Sequence, residues 1–264
     1  MIPAVFWIGP VPIHIYGLLI GLAIVAGTEV AVRAGKRHGM AEGLIWAAAA
    51  WAMIGGIIGA RLYHVVDQWG YYREHLNLVV AVWNGGLGII GAIIGGLMGL
   101  AVFSWRQKYR GNRQGFRPLL DAAAFGLPIG QAIGRWGNYI NQELYGKPTT
   151  LPWGIYIPPD KRAAGWTAYT NFHPLFWYES LLMVGLYVVL RLAERQHWLP
   201  WGQGAFFAWY LVGYGVIRFS LEELRIDNWR LSGWPVASMI SLLFIMVGVG
   251  WLLMIRRRIN VKKI

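Results

Sequence analysis

Gly134-Arg135-Trp136-Gly137-Asn138-Tyr139-Ile140-Asn141-Gln142-Glu143-Leu144-Tyr145-Gly146 follows directly on an apolar run from Leu119 to Ile133. It sets a guanidinium, two carboxamides and a carboxylate at or near membrane depth. An arginine near the centre of a spanning helix costs roughly 2.5 to 3.5 kcal/mol on insertion scales, so a charge kept there marks a site. Read as a helix, the stretch puts Gln131, Arg135, Asn138 and Gln142 at i, i+4, i+7 and i+11, and four polar side chains then share one face. A stripe of that kind lines a wet cavity.

The surrounding composition agrees with a membrane setting. Of 264 residues, 56% are apolar, 15% aromatic and 14% charged, with 16 tryptophans. A soluble domain carries nearer 25% charged residues, so the chain reads as a polytopic membrane protein. The net charge of +12 sits in short clusters between apolar runs. That is the pattern of anchors against anionic lipid rather than of a nucleic-acid surface. There is no cysteine, which excludes disulfides, thiolate metal sites and a cysteine nucleophile. Any thiol in the chemistry must then come from a substrate. With no His-Glu-x-x-His pattern and no carboxylate cluster, neither a metal nor another cofactor is expected.

Seven apolar runs, at roughly 13–32, 44–64, 78–104, 119–140, 174–192, 203–221 and 236–255, are long enough to cross a bilayer, which takes about 20 residues. The expected fold is all-α with about seven transmembrane helices. The first basic residue is Arg33, so no positive n-region of a signal peptide precedes the first run, which is expected to stay as a span. Fifteen of the 24 lysines and arginines fall on one side, in clusters that include Arg33 to Arg37, Arg106 to Arg117, Arg191 with Arg195, and Arg256 to Lys263. The positive-inside rule puts that side in the cytoplasm and the N-terminus outside. Gly55 and Gly59 in the second span, and Gly91, Gly95 and Gly99 in the third, have the spacing of closely packed helices. Arg61 ends the second span, where it either snorkels to the interface or faces the cavity. The one long connection, about 141–173, is too aromatic for disorder, with Trp153, Tyr156, Trp166 and Tyr169, and reads as a small outer head with a short strand between Leu151 and Ile157.

The sixth run carries Tyr210, Tyr214, Arg218, Glu222 and Arg225 at i, i+4, i+8, i+12 and i+15. Arginine offers a planar fork that matches phosphate bidentately, so Arg135 and Arg218 on different spans suit one lipid phosphate held between them. The bland alternative is that each pairs with Glu143, Glu179 or Glu222 to hold the bundle together. Glu179 in any case needs a partner inside its span, and arginine is the expected one.

The pattern Gly-Arg-x-Gly-Asn-aromatic-x-Asn-x-Glu-x-x-Gly from Gly134 to Gly146 resembles the signature of prolipoprotein diacylglyceryl transferases, enzymes of the bacterial inner membrane. Four other stretches are similar to the same family: Tyr16-Gly17, Trp83 to Gly91, His173-Pro174 with Tyr178-Glu179, and Tyr214-Gly215-Val216-Ile217-Arg218-Phe219-Ser220-Leu221-Glu222-Glu223-Leu224-Arg225. Many members carry a histidine or a tyrosine where this chain has Ile90, and the usual continuation after Arg225 is shortened to Ile226-Asp227. The resemblance implies a single transferase domain over 1–264 that moves the diacylglyceryl group of phosphatidylglycerol to the lipobox cysteine of a prolipoprotein signal peptide, releasing glycerol 1-phosphate. It implies Arg135, Arg218, Glu143 and Tyr16 as catalytic residues. Asn138, Asn141, Gly146, Tyr214, Glu222 and Arg61, with Arg135 again, are implied to bind substrate. With Ile90 in place of histidine, the candidate bases are Glu143, Tyr16 and His173. The alternative function, a transporter or flippase for anionic lipids, commonly shows repeats between its halves, and none is visible here.

Overall fold

A computed structural model of the chain describes residues 5–109, 115–226 and 228–261. Arg110, Arg113, Lys262 and Lys263 of the basic clusters, and Asp227, lie outside the described residues. A hairpin of β1 (Val5–Ile8) and β2 (Val11–His14) leads into α1 (Ile15–Arg37), and then come α2 (Glu42–Asp67), α3 (Trp69–Tyr72) and α4 (Ile89–Tyr109). The rest holds α5 (Phe116–Asn141), β3 (Ile155–Tyr156), β4 (Asn171–Phe172), α6 (Leu175–Arg195), α7 (Ala205–Glu222), β5 (Arg230–Leu231), β6 (Trp234–Pro235) and α8 (Val236–Val261). Helices α1, α2, α4, α6 and α8 are long and apolar enough to cross a membrane, which makes the chain a multi-pass membrane protein. Among the long described helices, α5 and α7 are the two that fall short of that apolarity. They are also the two that carry the polar motifs.

Two compact units divide the chain, one of Met1–Ala31 with Leu120–Ile264 and one of Val32–Leu119. In the second, α2 and α4 meet along their glycines. A Cβ added to Gly59 would lie 2.9 Å from Gly95 Cα, and one added to Gly55 would lie 3.1 Å from Gly99 Cα. The glycine spacing therefore serves backbone packing, as the sequence suggested. The third run does not become helix at 78, however, because 76–78 and 82–84 are short 3-10 turns and α4 starts only at Ile89. Gly85 and Gly86 break it with φ of +80° and +70°, a conformation open to glycine but strained for other residues.

The first unit packs α5 against three neighbours. Its Gly126 and Gly130 approach Gly27 and Ala23 of α1, and a Cβ on Gly27 would sit 2.9 Å from the Gly126 carbonyl oxygen. Ser180 of α6 donates to the Ala132 carbonyl at 2.9 Å. The third link joins α5 to the start of α7. Helix α7 opens on Gly204 in the left-handed region, with no side-chain cap of its own. The fully buried Asp121 of α5 supplies the cap instead, accepting backbone N–H groups of Gly202 (2.8 Å), Gly204 (3.0 Å), Phe206 (2.9 Å) and Phe207 (3.4 Å). A carboxylate at a helix N-terminus satisfies orphan donors and the helix dipole together.

The connection between α5 and α6 is folded around Tyr145, Ile157 and Phe172, all buried, with Ile155, Trp166 and Ile226 packed on them. Tyr145 ties it further, its hydroxyl donating to the Lys161 carbonyl and accepting from Ala163 N–H. The expected strand between Leu151 and Ile157 is present only as the two residues of β3, paired antiparallel with β4.

Candidate active site

How α5 ends decides where the motif residues go. The Gln142 N–H bonds the Tyr139 carbonyl at 3.1 Å and the Glu143 N–H reaches back to the Asn138 carbonyl at 2.9 Å, while Gln142 has φ +55°. This is a Schellman closure with glutamine at the left-handed position that glycine usually takes. Gln142 is accordingly turned off the helical face on which the sequence placed it, and its amide donates to the Tyr139 carbonyl at 2.8 Å. The same turn folds Glu143 back over the last helical turn. One of its oxygens accepts from Asn138 at 3.0 Å and from Asn141 at 3.4 Å. The two asparagines of the motif therefore hold the glutamate of the motif.

One turn earlier, Arg135 meets Glu179 of α6 side-on, Nε to Oε2 at 2.6 Å and Nη2 to Oε1 at 3.0 Å. Glu179 is buried, and the arginine expected for it is this one. The pairing leaves the far edge of the guanidinium, Nη1 above all, with only a long 3.4 Å contact to the Asn138 carboxamide oxygen. On α7, Arg218 Nη1 pairs with the buried Glu222 at 2.7 Å, one turn apart. Tyr214 lies within electrostatic reach of Arg135, Glu179, Arg218 and Arg225, so α5, α6 and the end of α7 pool their charges in one place. Tyr210 stacks on Tyr214 and donates to Gln131 of α5 at 3.1 Å. Tyr16, on the first turn of α1, fills the space left by Gly137, where an added Cβ would fall 2.7 Å from ring atom Cε2. Seven of the residues singled out in the sequence, Arg135, Asn138, Asn141, Glu143, Tyr214, Arg218 and Glu222, thus belong to one polar cluster, with Tyr16 packed on its helix.

Gly146 has a different setting. Its N–H bonds the His173 carbonyl at 2.9 Å, it forms an antiparallel bridge with Arg225, and Lys147 N–H bonds the Leu224 carbonyl at 2.8 Å. A Cβ there would meet His173 Cβ at 2.8 Å and the Leu224 carbonyl at 3.0 Å. The glycine lets the connection thread between the end of α7 and the start of α6. Arg225 is on that bridge and not on the helical face that the sixth run predicted, because α7 stops at Glu222. His173 Nδ1 lies 3.1 Å from the Tyr178 hydroxyl, which accepts Trp153 Nε1–H at 2.8 Å. Tryptophan only donates, so the phenol keeps its own hydrogen for the imidazole. Burial pushes the His173 imidazole below its ordinary value and favours its neutral form. Sequence reasoning misses Asp121 and Ser180 and finds Trp153 only as an aromatic residue of the connection; a lone aspartate in an apolar run does carry a signal, the cost of burying it.

Arg61 belongs to the other unit and is committed there. It is 6% exposed, donates to the carbonyls of Val79 (2.8 Å), Gly85 (2.7 Å), Gly86 (3.1 Å) and Leu78, and lies over the Tyr72 ring. Arg61→Ala should release these carbonyls. Hydrogen exchange would then quicken by about tenfold or more across 78–86 while α4 stays protected. Unchanged exchange there, with weaker lipid binding, would instead make Arg61 a direct substrate ligand.

Comparison with known proteins places the chain. The family model for prolipoprotein diacylglyceryl transferase matches residues 3–254. A curated relative from Acaryochloris marina, a phosphatidylglycerol–prolipoprotein diacylglyceryl transferase, is 38% identical over 97% of this chain and 92% of its own length. Relatives of the same name from Trichormus variabilis and Frankia alni are 37% and 42% identical, covering 97% and 96% of this chain and 91% and 66% of their own.

Proposed function

Since the chain belongs to the prolipoprotein diacylglyceryl transferase family, we propose that the cluster around Arg135, Glu179, Arg218 and Glu222 is where its diacylglyceryl transfer takes place. The chain is a transferase of that family, acting on phosphatidylglycerol and a prolipoprotein. The sulfur of the lipobox cysteine attacks the carbon of the diacylglyceryl moiety that bears the phosphate. A C–S bond forms, the C–O bond breaks, and glycerol 1-phosphate leaves while the thiol proton passes to a base. Charge accumulates on the leaving phosphate, and fixed guanidiniums in a site of low dielectric lower that barrier most. They also favour the thiolate, whose parent thiol has an ordinary pKa near 8.5 and is about a few per cent ionised at neutral pH.

The observation that carries this reading is the convergence of two distant motifs, Gly134–Gly146 and Tyr214–Arg225, with Glu179 in one charge cluster. Glu179 and Glu222 orient the guanidiniums and leave donors on each for a phosphate. Glu143, held by two amides, is the proposed proton acceptor, with Tyr16 and His173 behind it. Tyr214 shapes the pocket, Gly146 keeps the connection close over it, and Arg61 acts through the loop it gathers. The family match runs through both compact units, which supports one transferase domain. We place α5 and α7 across the bilayer as the fourth and sixth of seven spans, their polar faces turned to the cavity. The basic clusters support a cytoplasmic C-terminus, an outer N-terminus and a periplasmic head at 141–173 in the bacterial inner membrane.

Purified protein given phosphatidylglycerol and a synthetic lipobox peptide should add one diacylglyceryl mass to the peptide for each glycerol 1-phosphate released. Movement of phosphatidylglycerol across liposomes with no change in peptide mass would overturn this reading in favour of a lipid transporter.

A further inference from the structure

Three guanidiniums share the cluster, but among the described residues only two are paired with a carboxylate. Arg135 is paired with Glu179 and Arg218 with Glu222. Arg225 is within electrostatic reach of all four of these groups, whose charges cancel in pairs. Its own guanidinium is half-buried and has no ion pair or side-chain hydrogen bond among the described residues. It lines a small cavity with Leu144, Tyr145 and Ile226, just past the end of α7 and beside the bridge to Gly146. Burial and then Arg218 push it below its ordinary value, and Glu222 and Glu179 offset this only in part. Among the described residues, it is the guanidinium of this group that no carboxylate pairs with directly.

The reaction supplies a charge to match. The phosphodiester of the lipid carries one negative charge, whereas a phosphate monoester carries about 1.5 to 2 at neutral pH, by analogy with phosphorylated side chains. Resting on the transferase reading, we propose that Arg225 is a phosphate-monoester site that takes up the extra charge as glycerol 1-phosphate forms and holds that product on its way out. It thus differs from Arg135 and Arg218, which meet the diester already in the substrate. An arginine with no paired carboxylate among the described residues suits this task because the charge it neutralises appears only as the C–O bond breaks.

The test uses the whole protein in phosphatidylcholine nanodiscs and glycerol 1-phosphate as the probe, its binding followed by calorimetry. Phosphatidylglycerol binding is measured in parallel. Arg225→Gln should weaken glycerol 1-phosphate binding by about tenfold or more and phosphatidylglycerol binding by less than about threefold, since a charge-assisted hydrogen bond is lost to one ligand and not the other. Arg225→Lys keeps the charge and should bind the monoester within a few-fold of the parent. The proposal is overturned if the parent protein does not bind glycerol 1-phosphate, if Arg225→Gln binds it as well as the parent, or if both ligands weaken equally. Arg225→Lys as weak as Arg225→Gln, with the melting temperature unchanged, also overturns it. Calorimetry needs no turnover, so failure of the transfer assay would count against the transferase reading and not against this site.

Discussion

Arg135→Ala should reduce transfer by about a thousandfold or more, because a single fixed donor to a developing oxyanion is worth roughly a hundred- to a thousandfold and Arg135 brings a full charge besides. The variant has a second effect that must be separated from the first. Glu179 is 5% exposed, and both of its oxygens are held by Arg135. Removing the arginine strands a buried carboxylate, which costs about 3 to 5 kcal/mol of stability. Arg135→Ala combined with Glu179→Gln removes that charge, so the pair should recover most of the melting temperature and none of the activity. Glu179→Gln alone should stay folded and lose less activity than Arg135→Ala. Transfer within a few-fold of the parent in the double variant would show that Arg135 serves the bundle and not the phosphate.

A comparably large effect on folding is expected at Asp121. Its two oxygens accept four backbone N–H groups at the start of α7, and the residue is fully buried. Asp121→Ala leaves these donors with neither partner nor water, and each such orphan costs about 1 to 3 kcal/mol. A loss of about 3 to 5 kcal/mol is expected, below the simple sum because the first turn of α7 frays to meet some of the donors. Asp121→Asn keeps one acceptor oxygen and should lose about half as much. Both can be read as shifts in thermal unfolding in detergent. Since α7 carries Tyr214, Arg218 and Glu222, transfer should fall along with stability. An Asp121→Ala protein as stable as the parent would mean that α7 is capped by other groups.

The sequence made the charges legible for a physical reason. A buried carboxylate or guanidinium has few acceptable surroundings, so Glu179 announced an arginine partner and the spacing of Arg218 and Glu222 announced a one-turn ion pair. Helical period put Gln131, Arg135 and Asn138 on one face, and the small-residue spacing of α2 and α4 marked their packing. Local backbone choices were less readable. The end of α5 turns at Gln142, where a glutamine takes the left-handed position and no glycine flags the stop, so helical period assigns Gln142 to a face it does not occupy. The start of α4 was hidden because Val79 to Val82 is as apolar as a span, and only the conformation of Gly85 and Gly86 reveals the loop. Asp121 and Arg61 bond mainly to backbone atoms brought near by folding, and such partners leave no mark on residue identity. The departure at Ile90 is visible in the sequence, and it leaves Glu143, Tyr16 and His173 as the candidate bases.

The most direct measurement is a structure of the protein with phosphatidylglycerol bound in a nanodisc. The headgroup phosphate is predicted to lie about 3 Å from Arg135 Nη1 and from an Arg218 nitrogen not held by Glu222, with both ion pairs intact. A phosphate seated away from both arginines would contradict the account and return these residues to a purely structural role.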